Sequence, residues 1–302
     1  MRCGTLFSGG GGVEIGLEML GYECRWGVEN NPAIADVYEE NFPSSILHRK
    51  GIEDCHVNDF KPVDLIHISP PCQKFSTVHH KNIDDPISLL VLPIVKKIKP
   101  FLVTLENVPL FLHSNTFKEL VKELEKIKYK IIYNVENMSE YGLPQDRRRL
   151  FVIASKGNIV LKTKEFKKVG WYESVNDIMR GLEPSILLPW QLSAINEIKR
   201  KKYPYLISRI GANTKSVKPR SYDMQCPTIR AFQNSWGHEW ANVVTSSKKS
   251  WKVSIDMTYR LSSFPKKYKK PKDEKLAQVI AGNAVPPVFM KNILERICYQ
   301  KN

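Results

Sequence analysis

The chain has 302 residues, 42% of them hydrophobic and 25% charged, an ordinary globular composition with enough length for one large domain and a smaller one. No apolar run approaches the roughly 20 residues of a membrane span, and the opening MRCGTLFSGG lacks a secretory signal's apolar stretch and cleavage site, so a cytoplasmic protein (nucleoid-associated if bacterial) with no membrane partner is expected. The net charge of +15 is uneven: residues 1–155 carry 18 Lys+Arg against 20 Asp+Glu, and residues 156–302 carry 28 against 11. A uniform lysine coating is thereby excluded, and a near-neutral catalytic lobe joined to a polyanion-binding lobe is suggested.

In chain order, residues 4–7 form a short buried strand, followed by the turn Ser8-Gly9-Gly10-Gly11-Gly12 and a helix over 13–20 that Gly21 ends. A strand over 23–29 and a helix over 31–41, with Pro32 in its first turn, come next. An apolar strand spans 63–69, a helix 87–98, a strand 101–105 and an amphipathic helix 116–128; strands over 130–135 and 150–154 complete the set. Repeated strand–helix units imply a parallel sheet covered on both faces. Periodicity fades after about residue 156, and 166–250 is expected to be short uneven strands and loops. A last apolar helix, 285–297, starts at Pro286-Pro287 and can pack back on the first lobe.

Six cysteines, Cys3, Cys24, Cys55, Cys72, Cys226 and Cys298, show no C-x-x-C spacing, so neither a zinc site nor a disulfide framework is expected, and no metal. A glycine-rich turn between strand and helix lets backbone approach a ligand and offers free N–H groups. The strand after it ends in Glu29, an acid able to hold two ribose hydroxyls. Ligands of open α/β sheets bind outside the carboxyl ends of the strands, so the turn and Glu29 can share one site. The strand 63–68 runs into Ser69-Pro70-Pro71-Cys72-Gln73, where prolines fix the chain direction just before a potential thiolate nucleophile.

These segments, with Glu106-Asn107-Val108, Gln145-Asp146-Arg147-Arg148-Arg149, Arg260-Leu261 with Phe264-Pro265, and Gly282-Asn283-Ala284-Val285-Pro286-Pro287, stand in the order found in the cytosine-5 DNA methyltransferase family, which the chain resembles over nearly its whole length. The resemblance implies an α/β fold of the class I S-adenosylmethionine-dependent methyltransferases, a Rossmann-like, mostly parallel sheet with a smaller basic target recognition domain. It implies a catalytic domain over 1–165 completed by 270–302, and target recognition over 166–269. S-adenosylmethionine would lie on Phe7, Ser8, Gly9, Gly10, Gly11, Gly12, Glu29, Asn30, Asp54, Ser69, Pro71, Asn283 and Val285, and leave as S-adenosylhomocysteine. The catalytic residues implied are Cys72, Glu106, Arg147 and Arg149. Double-stranded DNA would meet Gln73, Ser76, Gln145, Arg209, Arg220 and Arg230.

The chemistry explains the residue types. A Cys72 thiolate adding to carbon 6 of cytosine breaks aromaticity and makes carbon 5 enamine-like, able to take a methyl from a sulfonium. Glu106 is placed to protonate ring nitrogen 3, a task suited to a partly buried carboxyl. Arg147 and Arg149 alternate along an extended segment, so both can face one site; the resemblance gives Arg149 the base's carbonyl oxygen and Arg147 the support of the cysteine loop. A base inside a duplex must first be flipped out, and residues 73–86 are suited to close over it.

Arg209, Arg220 and Arg230 are candidate readers of base edges, whereas Lys199-Arg200-Lys201-Lys202 suits phosphates. Trp236, Trp240 and Trp251 fit a small-domain core. One departure from the family concerns its adenine-binding aspartate: Gly51-Ile52 stands there, with Glu53 or Asp54 as substitutes. A monomer is expected, with a cognate restriction endonuclease acting separately. Rival readings are an RNA cytosine-5 methyltransferase, a non-catalytic DNA-binding regulator and, more distantly, a nicotinamide oxidoreductase, which would not need the Pro-Pro-Cys loop.

Overall fold

The computed structural model describes residues 1–71, 86–198, 202–208, 218–231, 240–246 and 249–299. The chain divides into two compact units, the first formed by Met1–Asn137, Arg148–Glu165 and Val285–Asn302, the second by Met138–Arg147 and Phe166–Ala284. Residues 138–147 and 270–284 therefore pack with the second unit, whereas the sequence reading grouped them with the first.

In the first unit the chain runs β1 (Arg2–Leu6), α1 (Gly12–Glu18), β2 (Glu23–Val28), α2 (Pro32–Asn41), β3 (Ile46–His48), β4 (Leu65–Ile68), α3 (Leu92–Ile98), β5 (Leu102–Asn107), α4 (Asn115–Lys126), β6 (Lys130–Asn137) and β7 (Arg148–Ser155). The seven strands order as β3-β2-β1-β4-β5-β7-β6. The five from β3 to β5 are parallel, but β7 runs antiparallel to both neighbours. The repeated strand–helix units and the family resemblance lead to a mostly parallel sheet, as found, without saying which strand reverses. An apolar run such as Leu150–Ala154 reads the same in either direction, so the reversal is set by connection: β6 and β7 follow one another without a crossover helix.

Local chemistry sets the element ends. Gly21, with φ of 72°, closes α1 by donating to the Glu18 carbonyl at 2.9 Å. Asn31 caps α2 through its side chain to the Ile34 N–H, with Pro32 in the first turn. The expected helix over 87–98 is split into a 3₁₀ stretch, Pro86–Val91, and α3. Pro93 has no N–H to continue an earlier helical ladder, so the α-helix restarts there.

One sheet face carries a core that includes Leu6, Ile66, Ile68, Val103, Leu105 and Val152. On the other, α1 meets the C-terminal helix Pro287–Leu294 so closely that a Cβ on Gly16 would lie 2.7 Å from the Pro287 carbonyl oxygen. Phe151 of β7 meets Phe289 of that helix edge-on. The expected return of the last helix to the first lobe is thus seen, although it stops at Leu294 and Ile297–Tyr299 pairs with Ile159–Leu161 as a two-stranded ribbon.

The second unit holds a four-stranded antiparallel sheet of short strands, ordered Arg220–Ser221, Tyr205–Ser208, Ala241–Ser246 and Lys249–Lys252. It also contains the helices Pro189–Asn196, Ile255–Leu261 and Glu274–Asn283. Its core gathers Trp171, Leu206, Cys226, Ile229, Trp240, Val243 and Met257, with Trp251 packed against it. Trp240 and Trp251 are core residues as expected; Trp236 lies outside the described residues. No helix among the described residues is long and apolar enough to cross a membrane.

Candidate active site

The glycine turn is shaped by left-handed backbone at Phe7, Gly9 and Gly11, with φ of 62°, 56° and 86°. At Gly11 a Cβ would also lie 1.9 Å from the Phe42 ring, so conformation and space both demand glycine. Over Gly9 a Cβ would meet nothing within 4 Å, which leaves the turn open on that side. Ser8 ties the turn to β2: its N–H donates to the Val28 carbonyl at 2.9 Å, and its hydroxyl accepts the Val28 N–H at 3.0 Å.

Two carboxylates brace the turn. Glu29, just after β2, accepts the Gly9 N–H at 3.0 Å with one oxygen and the Asn31 N–H at 2.8 Å with the other. Glu14, fully buried at the start of α1, accepts the Thr5 hydroxyl at 2.5 Å, and Thr5 lies 2.7 Å from the Ser8 hydroxyl. Burial pushes the Glu14 carboxyl up to about 7, against the opposing bond from Thr5. Asn30 is exposed beside Glu29.

After β3, residues Ile52–Asp54 make a 3₁₀ turn with Ile52 buried and both acids exposed. A Cβ on Gly51 would stand 2.5 Å from the Glu53 carboxylate, so that carboxylate fills the side-chain space of position 51. Asp54 engages Gly51 through backbone alone, its N–H donating to the Gly51 carbonyl at 3.1 Å.

β4 ends at Ile68, and the Ser69 N–H donates to the Leu6 carbonyl at 3.1 Å, which carries the chain past β1 before Pro70 and the exposed Pro71. The Asn107 amide reaches the Pro70 carbonyl at 3.4 Å, and its own oxygen accepts the Val108 N–H at 2.7 Å. Glu106, 6% exposed, precedes it in β5. Register pairs Glu106 with Phe151, which puts Arg149 two residues along β7 on the same face. The Arg149 Nε and Glu106 Oε1 form an ion pair at 3.1 Å, and Arg149 also donates to the Arg148 carbonyl at 2.8 Å. Val285 is buried in this unit. Cys72, Gln73 and Ser76 lie outside the described residues.

The remaining candidates belong to the second unit. Gln145, 1% exposed, accepts the Ile229 N–H at 3.1 Å; Arg147, 3% exposed, donates to the Ile229 carbonyl at 3.2 Å. Between them Asp146 forms an ion pair with Arg220 at 3.0 Å and accepts the Thr228 hydroxyl at its carbonyl. Gln145–Arg147 is thus stitched to 226–229, and Arg220, expected to read bases, is engaged with Asp146. Arg230 is exposed, and its carbonyl accepts the Gln278 amide at 2.7 Å. Asn283 is exposed at the end of its helix, and Arg209 lies outside the described residues. No group of three or more His, Cys, Asp or Glu that could hold a metal occurs among the described residues.

Sequence reasoning gave no role to Asn107, Glu14 or Thr5. Asn107 was visible only as part of a motif. A glutamate in the first turn of α1 looks like a solvated helix residue until the packing above it is known.

A mostly parallel seven-stranded sheet, with a glycine turn after its first strand and an acid after its second, defines a class I S-adenosylmethionine-dependent methyltransferase. The family of C-5 cytosine-specific DNA methylases matches residues 1–299, and the chain belongs to that family. It is therefore a DNA cytosine-5 methyltransferase that uses S-adenosylmethionine. The Type II methyltransferase M.MthTI of Methanothermobacter thermautotrophicus is 27% identical over 323 residues, covering 98% of this chain and 97% of that protein. M.FnuDI of Fusobacterium nucleatum, another Type II methyltransferase, is 30% identical over 173 residues, 55% of this chain and 50% of its own length. Among solved structures, a prophage-encoded DNA modification methyltransferase of E. coli shares the fold, with a TM-score of 0.71 at 19% identity over 98% of this chain and 97% of its own.

Proposed function

We propose that the chain methylates carbon 5 of one cytosine within a short double-stranded DNA sequence, after flipping that base out of the duplex, with Cys72 as nucleophile. S-adenosylmethionine, when bound, supplies a methyl group made electrophilic by its sulfonium. The chain's residues do the rest. The Cys72 thiolate adds to carbon 6, while Glu106 gives a proton or hydrogen bond to ring nitrogen 3 as charge develops. Arg149 steadies the base's carbonyl oxygen, and Arg147 the architecture beside it. After transfer a base, water included, removes the carbon-5 proton, the carbon–sulfur bond breaks, and the thiolate leaves.

The observation that carries this reading is the Glu106–Arg149 pair on adjacent antiparallel strands, with Asn107 tied to the proline that leads toward Cys72. The open glycine turn braced by Glu29 fits the donor, with Phe7, Ser8, Gly9–Gly12, Asn30, Ser69, Pro71, Asn283 and Val285 as its further contacts. Toward adenine the Glu53 carboxylate, folded over Gly51, is favoured over Asp54. The first unit would be the catalytic domain and the second the target recognition domain. Gln73, Ser76, Arg209 and Arg230 would meet DNA, with Gln145 and Arg220 holding the reader in shape.

The Type II names of the relatives support a restriction–modification role; a separate endonuclease, a monomeric methyltransferase and a cytoplasmic location are part of the same proposal. Transfer of labelled methyl from S-adenosylmethionine to duplex DNA and to RNA tests the proposal. Incorporation into DNA that Cys72→Ala abolishes is expected. Incorporation into RNA alone would replace it with the RNA reading, and incorporation into neither would leave a DNA-binding regulator.

A further inference from the structure

β4 reads Leu65-Ile66-His67-Ile68 and is buried at every position, with His67 1% exposed in mid-sheet. Both ring nitrogens are engaged. Nδ1 lies 2.8 Å from the Thr104 hydroxyl on β5, and Nε2 lies 2.6 Å from the Ser69 hydroxyl, two residues further along its own chain. On the other side the register neighbour is Thr5 of β1. Thr5, His67 and Thr104 therefore form a polar rung across three central strands, in the middle of the sheet. The ring also stacks on Phe151 of β7, with centroids 6.3 Å apart.

A rung of Val or Ile would fill this sheet without burying a polar group, so packing alone does not call for a histidine here. Its place suggests what it does. Thr104 and Glu106 share a face of β5, about 7 Å apart along the strand. His67 and Ser69 share the matching face of the neighbouring strand, and Ser69 begins Ser69-Pro70-Pro71, the run into Cys72.

We propose that His67 is a positioning residue for methyl transfer: by bridging Ser69 and Thr104 it fixes the launch of the cysteine loop against the strand end that carries Glu106. The Asn107–Pro70 contact is the second tie between the same two strand ends, so Ser69 and Pro70 are each held there. Burial lowers the imidazole's pKa to about 3, so the ring stays neutral, with one nitrogen donating and the other accepting at working pH. This assignment rests on the function proposed above.

The test compares wild type with His67→Leu, His67→Gln and Thr104→Val in single-turnover methyl transfer to DNA. Donor affinity, DNA affinity and thermal midpoint are measured for each. His67→Leu is expected to slow transfer tenfold or more while both affinities stay within threefold. His67→Gln, whose amide both donates and accepts, is expected to recover most of that rate. Thr104→Val is expected to slow transfer similarly, and the double variant with His67→Leu to be no worse than either single one. Should His67→Leu fail to fold, the Gln and Val variants carry the same comparison. A rate within twofold of wild type in folded His67→Leu or in Thr104→Val would overturn the assignment. So would a loss that tracks thermal midpoint and donor affinity, with Gln no better than Leu. A wild type that transfers no methyl to DNA would instead overturn the underlying function, and this assignment with it.

Discussion

Glu106 of β5 and Arg149 of β7 meet at 3.1 Å because the antiparallel register sets Glu106 opposite Phe151, and Arg149 stands two residues from Phe151 on the same face of β7. Both side chains are largely buried, 8% and 15% exposed, where a charge needs its partner. The proposed proton donor and the proposed contact to the base's carbonyl oxygen are thereby preset next to one another before any substrate arrives.

Glu106→Gln is expected to slow methyl transfer by about a hundredfold, the lower range of what a positioned general acid supplies. Donor affinity should be unchanged, since Glu29 is the carboxylate that braces the glycine turn and it is left in place. Single-turnover kinetics with equilibrium donor binding measure both, and a wild-type rate would remove Glu106 from the chemistry.

Glu53→Ala is expected to weaken S-adenosylmethionine binding about tenfold, the worth of one hydrogen bond to a charged group. Asp54→Ala should stay within twofold, because only its backbone engages Gly51. Calorimetric titration separates the two; the reverse order would return the adenine contact to Asp54.

Glu14 makes stability depend on pH with a defined sign. Its carboxyl titrates near 4.5 when unfolded and at about 7 when folded. Below pH 4.5 both states hold the proton. Between 4.5 and 7 the folded state keeps a proton that the unfolded state has released, so stability falls as pH rises, by up to about tenfold in the folding constant per pH unit, and levels off above 7. His67 acts oppositely: it is held neutral to about 3 against 6.5 unfolded, so its contribution is lost as pH falls through that window. Glu14→Gln should therefore gain on wild type progressively from pH 4.5 to 7 in denaturant melts. A constant difference across that range would contradict the burial argument.

Much of the first unit was legible because buried parallel strands are apolar runs and each helix end carries its own signal: Pro32 at the start of α2, Gly21 after α1. What was not legible depended on pairing. The direction of β7, the reach of Asn107 to Pro70 and the folding of Glu53 over Gly51 are contacts between segments, and no local pattern encodes them. The same holds for Gln145–Arg147, which reads as a charge run until Ile229 is seen to take both flanking side chains. Short strands of two to six residues hid the second unit's sheet from periodicity.

Arg220 and Arg230 are expected to part company on substitution. Arg220→Ala removes the partner of Asp146, a partly exposed pair with side chains 28% and 33% accessible, and should cost up to about 1 kcal/mol of stability with recognition preserved. Arg230→Ala should leave the melt unchanged and, if it contacts a guanine, relax selection at one base by about 1–3 kcal/mol. Thermal denaturation beside methylation of single-base-substituted duplexes distinguishes them.

The most direct test of the central claim is mass spectrometry of nucleosides from duplex DNA incubated with the protein and S-adenosylmethionine. 5-Methylcytosine that appears with wild type, and is absent with Cys72→Ala, is the predicted result. Methyl groups on exocyclic nitrogens instead, or 5-methylcytosine persisting in Cys72→Ala, would contradict the account.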